Sequence, residues 1–164
     1  MRAILRSSVA AIAVAATLAG GIAVGTVAAA GDGASVMRGD FNTFAVGIDR
    51  GMHIHGHAQM VRTGGGSSIA SIHVTGLAPG VTYGSHVHAA ACRTSAADGH
   101  FMFPGAVEGG ATAAHNEIWP GPVTADGGGV ANGHTKVDAI AGSSAVSVVV
   151  HDVDGAKIAC ADLG

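Results

Sequence analysis

Residues 52–77 read MHIHGHAQMVRTGGGSSIASIHVTGL. In the first ten, His53, His55 and His57 fall on one side of an extended chain while Met52, Ile54 and Ala58 fall on the other, because successive side chains of a strand point to opposite faces. The glycines and serines of GGGSS then supply a turn, and IASIHVTGL sends Ala70, Ile72 and Val74 to a common side. Two alternating runs joined by a glycine turn describe an antiparallel pair with one buried face and one wet face. A closed hairpin would set His73 across from His57.

Outward from this pair the same pattern repeats. APG leads into VTYGSHVH, and further strands read as PVTAD, GVANGHTKV, AVSVVVHDV and KIACADL, with DGGG and IAGSS as turns. No helical period is sustained. The expected fold is therefore all-β, an antiparallel β-barrel or sandwich of about eight strands. Residues 89–122 break the pattern as a long connection without strand periodicity, and a loop of that length inside a compact domain is usually functional. Residues 31–40, polar and glycine-rich, read as a flexible lead-in, which leaves 41–164 as the domain.

Residues 1–30 begin with Arg2 and Arg6, continue uncharged and apolar, and close on Ala28, Ala29 and Ala30. This is the pattern of a secretory signal peptide with a small-residue cleavage site. A retained anchor is the alternative, since the uncharged run is long enough to span a bilayer; Gly20, Gly21, Gly25 and the cleavage pattern favour removal, and no cysteine follows to carry a lipid. Loss of Arg2 and Arg6 moves the formal charge from −3 to −5, and the remaining 134 residues suffice for one core. Lysines and arginines are few and scattered, which argues against a nucleic-acid partner. Cys92 and Cys160 are the only cysteines, and in an oxidising compartment one disulfide is expected.

The chain has ten histidines beside a single tryptophan and a single tyrosine. In GSHVHAAACRTS, residues 84–95, His86 and His88 project to one face and can grip one ion while Val87 turns to the core; two solvated histidines are the plainer alternative. The motif does not stand alone. HVH followed by Cys92, GHF with His100, then His115, VVVHD with His151, and KIAC with Lys157 and Cys160 resembles the copper/zinc superoxide dismutase family in order and placement, over residues 55 to 162.

The resemblance, which is to the secreted bacterial type, implies a Greek-key β-barrel that holds copper and converts superoxide to dioxygen and hydrogen peroxide in the periplasm or cell envelope, with no stable membrane anchor after cleavage. It implies that His86, His88 and His151 are copper ligands and that His100 is the ligand the family shares between copper and zinc. It also implies that Cys92 and Cys160 form the disulfide that pins the long loop. His100 then serves catalysis by taking up a proton and passing it to the departing peroxide. Lys157 stands where the family places an arginine over the copper, keeping the charge without the planar fork.

Two departures bear on this implication. Only His115 follows His100 as a further zinc ligand, with Glu108 near the place of the family's middle histidine, so the zinc site is incomplete. Glu117, in HNEIW, is expected instead to accept a hydrogen bond from the ring nitrogen of His100 that zinc would occupy, as in copper-only members. Second, only DVDGA separates His151 from Lys157, so the copper should be open to solvent, with Asp152 and Asp154 opposing the charge of Lys157. These departures keep a second reading in play, a secreted copper-binding module with little or no dismutase activity. Trp119 reads as packing between loop and barrel. His53, His55, His57 and His73 read as a solvated polar face, with a second ion as the alternative.

Overall fold

The computed structural model describes residues 34–105 and 116–164. The signal peptide assigned to residues 1–30, together with Glu108 and His115, lies outside the described residues. In chain order the elements are β1 (Ser35–Asp40), β2 (Asn42–Thr43), α1 (Ala45–Asp49), β3 (His55–Arg62), β4 (Ser68–Thr75), β5 (Thr82–His88), β6 (Val123–Thr124), β7 (Ala131–Val137), β8 (Ser147–His151) and β9 (Lys157–Asp162). One sheet has the order β1-β3-β4-β7 and the other β2-β9-β8-β5-β6, with every pairing antiparallel. After β5 and β6 have been laid in the second sheet, β7 returns to pair with β4 in the first, a Greek-key connection.

The expected antiparallel β fold is present as a sandwich whose sheets do not close into a barrel. At one seam only two long backbone hydrogen bonds, of 3.4 and 3.5 Å, tie Arg38 to Gly164. At the other, β6 is two residues long and pairs with β5 alone. The lead-in expected for residues 31–40 is corrected over Ser35–Asp40, which form the edge strand β1 against β3. SVMRGD has no strong apolar alternation; it becomes a strand because β3 offers an unpaired edge, and Met37 packs on the core. The short helix α1 was likewise not anticipated from the sequence; its Gly47 is buried, and a Cβ there would lie 2.7 Å from the backbone oxygen of Ile158 in β9.

The alternation of β4 is strict, with buried Ser68, Ala70, Ile72 and Val74 facing the core and their neighbours facing outward. Buried Ala58 and Met60 of β3, Tyr83 and Val87 of β5, and Val148 and Val150 of β8 meet them in the interior. Strand β8 is buried along its whole length, as a valine run covered on both faces should be. Val149 faces away from the interior, yet it packs under the long loop with Ala97 and Cys160. That loop is therefore part of the packed structure. Gly133 marks where its returning arm crosses β7, since a Cβ there would lie 2.1 Å from the carbonyl oxygen of Pro120. Among the described residues no helix is long and apolar enough to cross a membrane.

Candidate metal centre

Strands β5 and β8 are neighbours, with His86 opposite Val149 and Gly84 opposite His151. Val87, Val148 and Val150 turn inward, so period-2 geometry sends His86 and His88 to the outer face of this sheet, where His151 joins them. The fourth histidine arrives from the loop. A β-bridge pairs His88 with His100, flanked by bonds from Ala89 N–H to the Gly99 carbonyl (3.0 Å) and from Phe101 N–H to the Val87 carbonyl (2.9 Å). Buried Phe101 anchors the segment in the core.

The four rings converge. His86 Nδ1 lies 3.2 Å from His100 Nε2, and His88 Nε2 lies 3.3 Å from His151 Nε2. One nitrogen of each residue falls within 4.8 Å of those of the others. Bonds of about 2.0–2.1 Å from a metal ion to imidazole nitrogen place adjacent ligands about 3 Å apart and opposed ligands about 4 Å apart, so the quartet has the dimensions of one ion's ligand set.

The opposite nitrogens are held by the chain itself. His88 Nδ1–H donates to the Ala97 carbonyl (2.7 Å), and His151 Nδ1–H to the Gly155 carbonyl (3.1 Å), which leaves Nε2 of each with a free lone pair. Burial, with the neighbouring imidazoles, pushes His86 down to about 3. Burial also pushes His88 down to about 3, against the bond to Ala97, and it lowers His151. In all three the shift is toward the neutral form, the state a metal requires. Buried and half-buried imidazoles set nitrogen to nitrogen, with the other nitrogens of His88, His100 and His151 hydrogen-bonded, fit an imidazole-binding divalent ion. Copper heads that affinity order.

Glu117 is 1% exposed. Its Oε2 accepts from His100 Nδ1 at 2.9 Å and from Trp119 Nε1 at 2.6 Å. Trp119 also packs its ring on His86, centroids 4.4 Å apart. Its contacts are thus with the centre itself rather than only between loop and sheet. A tryptophan two residues after the glutamate is the one signal in the sequence that would have suggested this. Because this is the single tryptophan in the chain, and redox-active Cu(II) quenches an indole at contact range, copper loading is expected to extinguish most of its fluorescence. Zn(II), which has no redox chemistry, should spare it. Undiminished emission at full copper occupancy would place the ion away from this ring.

Lys157, at the start of β9, lies beside the centre. Its Nζ donates to the same Ala97 carbonyl (3.1 Å), stands 3.9 Å from Asp98, and its charge acts on both His88 and His151. The expectation that Asp152 and Asp154 oppose it is corrected. Arg50, just past α1, pairs with Asp152 and grips Asp154 by two bonds of 2.7 and 3.1 Å. Hydrogen bonding to Arg50 holds the Asp154 carboxyl down at about 2. Nothing in the sequence around Arg50 marked it as a partner of a turn 102 residues away. That turn is tight, with Gly155 at φ 82°, and its Gly155 carbonyl is the one that orients His151.

Cys92 and Cys160 form a disulfide across 68 residues, joining the loop to β9. Between Cys92 and His100 the backbone passes through Ser95, Ala96 and Ala97 at φ 47°, 51° and 53°. Three successive non-glycine residues in the left-handed region are strained, at roughly 1–2 kcal/mol each. The last of them supplies the carbonyl that holds both His88 and Lys157.

No protein-family model matches the chain, and no curated protein does. Among solved structures, two variants of superoxide dismutase 5 from Candida albicans superpose with a TM-score of 0.53 at 20% identity, over 78% of this chain and 87% and 89% of theirs. A third variant gives 0.50 at 21% identity, over 78% and 90%. The chain has the β-sandwich fold of the copper/zinc superoxide dismutases.

Proposed function

We propose that this chain is a copper-dependent superoxide dismutase of that family, working outside the cytoplasm. The observation that carries the reading is the four-histidine cluster with its fourth member, His100, backed by a buried carboxylate. Copper held by His86, His88, His100 and His151 supplies the one-electron couple by which two superoxide ions and two protons become one dioxygen and one hydrogen peroxide.

The chain's own residues supply proton and charge. His100 presents Nε2 to the cluster while Glu117 holds Nδ1, so the ring keeps its place as Nε2 takes up a proton and yields it to the departing peroxide. Glu117 engages the ring nitrogen of His100 that zinc would take in the family, and Trp119 donates to the same carboxylate oxygen. Zinc is not needed to orient the ring in this reading, and His115 and Glu108 carry no role in it. Lys157 draws the small anion toward the metal, helped by the pairing of Asp152 and Asp154 with Arg50. The disulfide suits an oxidising compartment.

One observation favours the second reading, a copper-binding module with slow turnover. The Lys157 ammonium is tied to the Ala97 carbonyl instead of standing free above the metal. Superoxide turnover by copper-loaded, zinc-free protein decides between the two. Turnover is expected, and Lys157→Ala is expected to slow it by roughly three- to tenfold at low salt and to flatten its salt dependence. Lys157→Arg should hold the rate. Copper-loaded protein without turnover would establish the module reading; equal rates and salt slopes for Lys157→Ala would leave Lys157 outside the reaction.

A further inference from the structure

The other sheet carries histidines on its outer face that the metal centre does not use. Strict pairing aligns Asp40 of β1, His57 of β3, His73 of β4 and Asn132 of β7 in one row across all four strands. Directly paired residues of an antiparallel sheet share a face. Ala58, Ile72 and Val74 turn to the core, so this row turns outward.

His57 and His73 stand with ring centroids 5.5 Å apart and planes tilted by 35°. The spacing equals that of His88 and His151 in the metal centre, also 5.5 Å. His73 has a further feature of that centre: its Nδ1–H donates to Asn132 Oδ1 at 2.8 Å, which leaves Nε2 with a free lone pair. An outer partner of this kind fixes the tautomer of a ligating histidine. Burial lowers His57, Arg38 lowers it further, and Asp40 opposes them more weakly, so the ring is held toward the neutral form that can ligate.

From this geometry we infer a second site, shallow and exchangeable, for a divalent transition ion of the copper, nickel and zinc class, held by His57 and His73 with water completing the ligand set. Imidazole suits all three metals, and Cu(II) should bind most tightly. The site lies on the far side of the sandwich from the metal centre. Sheets packed about 10 Å apart, with side chains extending from both outer faces, put the two ions on the order of 20 Å apart.

The test uses the purified chain with Cu(II) filling the metal centre, then titrated with further Cu(II) and read by electron paramagnetic resonance. A second signal with fewer nitrogen couplings is expected, together with a dipolar distance near that separation. His57→Gln and His73→Gln should each remove the second signal and leave the first, which also reports that the protein has folded. Asn132→Ala should weaken the second site by about tenfold, the lower end of what outer partners of ligating histidines contribute. The inference is overturned if a large excess of Cu(II) produces no second signal, or if the second signal survives His57→Gln combined with His73→Gln. Loss of the first signal would count against the metal centre, a different claim.

Discussion

Copper-loaded protein is expected to give a tetragonal, nitrogen-rich Cu(II) spectrum, and replacing His86 and His151 together with alanine is expected to abolish it and to bring the proposed superoxide turnover down to the level of metal-free protein. The two histidines belong to neighbouring strands, and each makes one of the two closest nitrogen pairs, His86 with His100 and His151 with His88. Removing both leaves His88 and His100 alone, each without its nearest ligand. Two imidazoles do not define a tetragonal site. The sandwich should survive, because the interior packs through Val87, Val148 and Val150. His86 and His151 instead face the loop side. Circular dichroism and the thermal transition of the metal-free variant check that. An unchanged copper spectrum in the double variant would sink the assignment and direct attention to His57 and His73.

Opening the disulfide should have the second largest effect. Reduction, or Cys92→Ser with Cys160→Ser, is expected to cost about 4 kcal/mol, the chain-entropy value for a closed loop of this length. For a domain of this size that corresponds to a fall of roughly 12–20 °C in Tm. The effect should also be local before it is global. The bridge fastens the loop three residues ahead of the strained stretch Ser95–Ala97, and Ala97 packs on Val149 and Cys160 themselves. Released, that stretch can relax out of the left-handed region and withdraw the carbonyl that orients His88. Hydrogen exchange at residues 94–101 should therefore accelerate ahead of the strands, and copper affinity should fall with it. Titratable thiols in protein taken from its own compartment would contradict the bridge; unchanged exchange after reduction would contradict its role in holding the loop.

Much of the fold was legible in the chain because its signal is local. Side-chain alternation belongs to each strand separately, and β3, β4, β5, β7, β8 and β9 all lie within runs that alternate or are dense in valine. Turn glycines mark the breaks between them. The candidate ligands were legible through the resemblance: among ten histidines, those of HVH, GHF and VVVHD stand in the order and placement of the copper/zinc superoxide dismutases, and the structure brings them together. Strand β1 left no such mark, because an edge strand needs only a partner's free edge and SVMRGD has little apolar alternation of its own.

What the sequence alone determined is the antiparallel β architecture, the identity of the four histidines and the two cysteines that can meet. Tertiary structure decided whether the sheets close, which nitrogen of each histidine faces the cluster, and which charges are already paired. The lone pairs of His88 and His151 are set by the carbonyls of Ala97 and Gly155. Every residue carries a carbonyl, so sequence cannot distinguish the two that matter; they are selected by a left-handed turn and a glycine turn. The pairing of Arg50 with Asp152 and Asp154 spans more than a hundred residues. Charges that far apart become neighbours only when α1 packs against β9, and no local pattern encodes that approach.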